Sequence, residues 1–179
     1  MIAKKMGAAI FIAVTTIACS QAEITQPPIP VTPKVAANAS GLDVYAGPRS
    51  RGAQVPQFRG QEIVQIRTWG AVDGGGRSEM IGVNCILDSG VYSASFQTPA
   101  NVLVPDYGPN SPALFVRCEN GGASGSITVN VVNKTAQERN ASAAGTGLLG
   151  AIVIGAVNEA RRNNDTDDFG YNPITVQLR

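Results

Sequence analysis

The chain of 179 residues contains no histidine. That absence removes the commonest general base and metal ligand, and with them every Ser-His-Asp or Cys-His arrangement. Charge is scarce as well. Only 15% of residues are Asp, Glu, Lys or Arg, and 14 basic side chains face 13 acidic ones. Loss of Lys4 and Lys5 with a leader would take the basic count from 14 to 12. A balance of this kind offers no footprint for nucleic acid, so no nucleic-acid partner is expected. No Gly-Lys-Ser/Thr phosphate loop occurs. Together these absences point away from an enzyme: no catalytic residue, no metal ligand set and no cofactor are assigned. Glycine and proline are plentiful instead, 20 and 11 residues, which favours many turns over long helices.

Lys4 and Lys5 precede an apolar run from Gly7 to Ala18 that is too short to cross a bilayer as a helix. A basic start, a short apolar middle and small residues behind it read as a secretory signal peptide over residues 1–22. Ser20-Gln21-Ala22 fits a small-x-small cleavage site, with the mature chain beginning at Glu23. Thr16-Ile17-Ala18-Cys19 fits a lipobox ending at residue 18, with Cys19 lipidated as the first mature residue. Residues 23–41 hold four prolines and no helical period, and read as an extended, Pro-rich linker. Residues 42–77 read as an N-terminal arm or edge strand.

The body reads as strands. Gln61 to Trp69 is rich in β-branched residues and ends at glycines. In Glu79 to Leu87, Ile81, Val83, Cys85 and Leu87 share one face. A turn at Asp88-Ser89-Gly90 leads to Tyr92, Ala94 and Phe96 alternating with polar residues. Val102 and Val104, then Leu114, Val116 and Cys118, then Ile127, Val129 and Val131, mark further strands. Short strands at roughly ten-residue spacing suggest a mainly β fold, a small sandwich or open barrel. Trp69, Phe96, Tyr107 and Phe115 are expected in the core or at its rim.

With Cys19 accounted for by the leader, Cys85 and Cys118 remain as a pair. A disulfide between them suits two inward faces in an oxidising compartment, and closing such a loop is worth roughly 3–4 kcal/mol in the chain-entropy model. A reactive thiol would want a basic neighbour, and a two-cysteine metal site lacks further soft ligands.

The succession Gly82-Val83-Asn84-Cys85-Ile86-Leu87, Ser95-Phe96-Gln97-Thr98-Pro99-Ala100, a Val-rich strand and Leu114-Phe-Val-Arg-Cys118 resembles the small PEGA-type β domains. It is most similar to a cysteine-bearing variant in exported, often lipidated, proteins of Gram-negative bacteria. A glycine-rich apolar helix and a closing Tyr-x-Pro-x-x-Val-x-Leu strand follow in that variant; here they are Gly145 to Val157 and Tyr171 to Leu178. The resemblance covers residues 78–179 and implies a structural or binding module of the cell envelope with no activity.

The helix is expected over residues 141–160, where Gly147, Ala151 and Gly155 recur every fourth residue and leave one face nearly bare. Such a face suits packing on the sheet, contact with a membrane, or close approach of another protomer or envelope protein. Gly145 to Gly150 spells G-x-G-x-x-G, but no buried strand precedes it. Asn163, Asp165 and Asp167 alternate as at the start of a calcium loop, although Asp168 stands where the turn glycine belongs. The expectation is therefore an exported, non-catalytic envelope module, periplasmic or tethered to the outer membrane through Cys19. A soluble periplasmic ligand- or calcium-binding protein is the alternative, and an envelope hydrolase a more distant one.

Overall fold

A computed structural model describes residues 21–34, 41–72, 74–142 and 161–179. In chain order the elements are β1 (Ile29–Pro30), β2 (Thr32–Pro33), α1 (Ala46–Ser50), β3 (Gly60–Val72), β4 (Gly76–Met80), β5 (Val83–Asp88), β6 (Tyr92–Thr98) and β7 (Ala100–Asp106). A 3-10 turn at Gly108–Asn110 follows, then β8 (Leu114–Asn120), β9 (Ala123–Val129), β10 (Val132–Asn133), α2 (Lys134–Ser142), β11 (Phe169–Gly170) and β12 (Ile174–Gln177). The fold is mainly β, two five-stranded sheets packed face to face rather than a closed barrel.

One sheet runs β1-β7-β3-β12, with β4 continuing beside the second half of β3; the other runs β2-β6-β5-β8-β9. β3 is the spine of its sheet. Its first half pairs with β7, its second half with β4, and its opposite edge takes β12 in parallel. Residues 42–77 therefore do not form an arm or an edge strand: they supply α1 and a central strand. Val64, Ile66 and Thr68 of β3 meet Cys85 and Leu87 of β5, Tyr92 and Phe96 of β6, and Val116 of β8, all buried. The period-two alternation puts exactly these side chains on inner faces. Thr68 is the polar member, and its hydroxyl is satisfied by Thr98 Oγ1 and the Met80 carbonyl, both at 2.7 Å.

Cys85 and Cys118 are joined, as the strand pattern suggests, and they sit directly opposite each other in the β5–β8 register with Cα atoms 4.1 Å apart. The bond staples neighbouring strands of one sheet. The Asp88-Ser89-Gly90 turn is also present: Asp88 Oδ1 accepts from Gly90 N at 2.7 Å, and Gly90 takes a φ of 85° that favours glycine.

Two further expectations are corrected. The Pro-rich segment 23–41 is not a free linker, because residues 29–33 enter both sheets: β1 pairs with β7 and β2 with β6, while Val31 between them is buried. Prolines are tolerated there because only an edge strand can leave an N–H missing. Glu79 to Leu87 is not one strand. Gly82, at φ 74°, turns the chain and donates to the Thr98 carbonyl at 2.6 Å, and Ile81 swings out to 69% exposure instead of joining Val83 inside. The described helix that leads into the expected 141–160 region is α2, Lys134–Ser142. Its start is capped by Asn133, whose side-chain oxygen accepts from Ala136 N at 2.8 Å. Residues 143–160 lie outside the described residues.

Candidate functional site

The outward face of β6-β5-β8 holds a shallow groove of about 670 Å³. Its walls follow from register: Asn84 and Ile86 of β5 stand between Ser95 and Gln97 of β6 and Arg117 and Glu119 of β8. These are the alternates of the buried residues, so the same pleat that builds the core presents this surface. Ile86 is 54% exposed, and Phe115, one pair further along β8, is also exposed. Around them the polar groups are mild. Gln97 Nε2 donates to Asn84 Oδ1 at 3.1 Å, and Arg117 pairs with Glu119 in the open. An apolar centre ringed by amides and one neutralised ion pair is suited to binding. Ser95 has no base beside it, and no two carboxyl groups converge there.

Elsewhere several acids are committed to structure. Both oxygens of Glu62 accept from Tyr171 N, at 2.9 and 3.2 Å, where β11 returns to the sheet. Burial nevertheless lifts the Glu62 carboxyl above its ordinary range, with the Tyr171 amide opposing. Asp106 accepts from Gly108 N at 2.6 Å. Asp43 takes Arg49 Nη1 at 2.8 Å and lies 3.3 Å from the Tyr107 hydroxyl, which itself accepts from Val44 N. The buried Tyr171 hydroxyl donates to the Pro112 carbonyl, and burial pushes its pKa up to about 12.

Asp167 has a different task. Its Oδ2 accepts from Asn133 Nδ2 at 2.6 Å, from Asn163 N at 3.1 Å and from Arg139 Nη2 at 3.4 Å. The hydrogen bond from Asn133, with the Asn163 amide and the Arg139 charge, holds this carboxyl below its usual range. One buried carboxylate thus ties the chain on the two sides of residues 143–160. Arg59 reinforces the same loop by donating to the carbonyls of Asn164, Asp165 and Asp167. The calcium reading of Asn163, Asp165 and Asp167 loses its third ligand to this role. Among the described residues no group of three His, Cys, Asp or Glu is arranged to hold a metal ion.

Of the residues singled out in the sequence, Cys85 and Cys118 come together in the core. Cys19, Gly147, Ala151 and Gly155 lie outside the described residues, and the G-x-G-x-x-G run lies there too. Phe96 and Tyr107 are core aromatics, whereas Phe115 faces out beside the groove. Sequence reasoning missed the docking of the N-terminal segment. Ala22 is bonded to Arg67 and Glu79, and Lys34 to Asp88 at 2.5 Å. The available signal was apolar Ile29 and Val31 set among prolines, too short a pattern to carry a period. Among the described residues no helix is long and apolar enough to cross a membrane. Comparison with protein-family models, curated proteins and solved structures finds no match to this chain.

Proposed function

We propose that this chain is a non-catalytic module of the bacterial cell envelope, exported, anchored by lipid on Cys19, and acting by binding another envelope component or another copy of itself. The observation that carries this reading is the Cys85–Cys118 bond, buried at 2% and 0% exposure in the middle of a sheet. Structural disulfides of this kind persist in oxidising compartments and are rare in reducing ones. The basic and apolar leader supports the same address, and the PEGA-like order of motifs supports an adhesive rather than a chemical role. The groove around Ile86 is the binding face, and the small-residue positions Gly147, Ala151 and Gly155 are a second contact surface.

The test is the intact mass of protein extracted from membranes. A chain beginning at Cys19 with a diacyl or triacyl increment and two fewer hydrogens for the disulfide is the expected result. A full-length chain with free thiols in the cytoplasm overturns the proposal. The groove's volume lies in the range of small-molecule sites, roughly 300–1,000 Å³, which favours a soluble periplasmic ligand-binding protein as the second reading. That reading predicts a mature chain without lipid.

A further inference from the structure

Ala22 is gripped through its backbone by a single ion pair. Its N–H donates to Glu79 Oε2 at 2.8 Å, and its carbonyl accepts from Arg67 Nη1 at 3.0 Å. Arg67 and Glu79 also bond to each other, and each side chain is only 10% exposed. Taking two charges out of water is costly unless their remaining hydrogen-bonding capacity is met. Here it is met in part by one peptide residue, so cleavage after Ala22 would remove a donor from Glu79 and an acceptor from Arg67 together.

We infer that the mature chain keeps Ala22, with Cys19 as its acylated first residue, and that the lipid holds the β3–β4 edge of the sandwich directly against a bilayer surface. This rests on the anchored reading above and adds to it the processing site and the membrane-facing edge. The tether is the argument. Ala22 lies three positions after Cys19, and extended chain covers at most about 10 Å over that distance. The Pro-rich segment supplies no extra reach, because it lies after Ala22 and is sewn into both sheets by residues 29–33.

The edge so placed has a suitable surface. Ile81, 69% exposed, leads the exposed large apolar side chains, and it lines a shallow concavity of about 270 Å³ with residues 22–26. Trp69 stands directly opposite Glu79 in the β3–β4 register and is half-buried. An aliphatic side chain in the open two residues beyond Glu79, with an amphipathic indole opposite Glu79, suits the headgroup boundary of a bilayer.

Trp69 is the single tryptophan of the chain, so its fluorescence reports this edge alone. The full chain, expressed with its own leader and extracted from membranes, is reconstituted into phosphatidylethanolamine–phosphatidylglycerol vesicles carrying a dansyl-headgroup lipid. Energy transfer from Trp69 to dansyl is expected. Insertion of 20 Gly/Ser residues after Ser20, which adds about 25 Å of flexible reach, is expected to lower that transfer at least twofold. Equal transfer with and without the spacer overturns the inference, as does a mature chain beginning at Glu23, while both leave export intact. A chain lacking any lipid increment on Cys19 overturns the anchored reading itself, and the inference falls with it.

Discussion

Ser124 and Arg179 exchange both of their backbone hydrogen bonds, each N–H reaching the other's carbonyl at 3.0 Å. The exchange joins β9 of one sheet to the extension of β12 in the other, and so covers one seam of the sandwich. Residues 29–34 cover the opposite seam, where Val31 N donates to the Leu103 carbonyl and Lys34 N to the Val91 carbonyl.

The Ser124–Arg179 seam makes Gly125 an unusual strand glycine. Replacing a glycine inside a strand by alanine ordinarily gains roughly 0.5–1 kcal/mol. Here a Cβ would stand 2.2 Å from the Gln177 carbonyl oxygen, a backbone atom with no rotamer to escape into. Gly125→Ala is therefore expected to destabilise, by about 1–3 kcal/mol for an overpacked site. Urea denaturation followed by circular dichroism checks the sign.

The disulfide closes a loop between residues 33 apart. Reduction, or the double replacement of Cys85 and Cys118 by alanine, is expected to cost about 3–4 kcal/mol. A shift in the urea midpoint on adding reductant measures it. An unchanged midpoint would show that strand pairing alone holds β5 to β8.

Asp167 and Glu62 predict opposite responses. Asp167 has a depressed pKa in the folded state, so its stabilising contribution is complete above the unfolded value of about 3.9 and disappears as pH falls through the folded one. Asp167→Asn removes that contribution at neutral pH and flattens the acid limb of the stability curve. Glu62 has a raised pKa, so its ionised form carries a cost that is complete above the folded value and is relieved as pH falls. Glu62→Gln, which keeps an acceptor for Tyr171 N, is expected to leave neutral-pH stability equal or higher. Thermal melts of the two variants between pH 3 and pH 7 distinguish them.

On the groove face, Ile86→Asp is expected to change stability by no more than about 0.5 kcal/mol, because the side chain is more than half in water. If this face binds, the substitution lowers photo-crosslinking from a probe at Ser95 in intact cells. Undiminished crosslinking would move the binding face elsewhere.

How much of this was legible follows from how each element signals itself. β6 announces itself through Tyr92, Ala94 and Phe96, a full period-two run bounded by a glycine turn and Pro99, and the structure buries all three. The cysteine pair was readable because both residues fall on the buried phase of such runs. β1 and β2 were not, since two-residue strands hold no period and their stability comes from partners about 60–70 residues away, Val102 and Leu103 for β1 and Ser93 and Tyr92 for β2. Ile81 shows the opposite failure. It continues the alternation of Val83, Cys85 and Leu87 in sequence, but the positive φ of Gly82 breaks the phase between them. The Asp167 clasp was illegible for a third reason: Asn133 and Arg139 lie 34 and 28 residues from it, and only tertiary packing brings them to one oxygen.

Sealing both seams with the chain's own backbone has a consequence for life at high density. Molecules confined to a two-dimensional layer meet edge-on repeatedly, and unpaired strand rims are the usual template for fibrillar growth. With its flanks already occupied at residues 29–34 and 178–179, this sandwich closes two of the rims through which its sheets could grow into those of its neighbours.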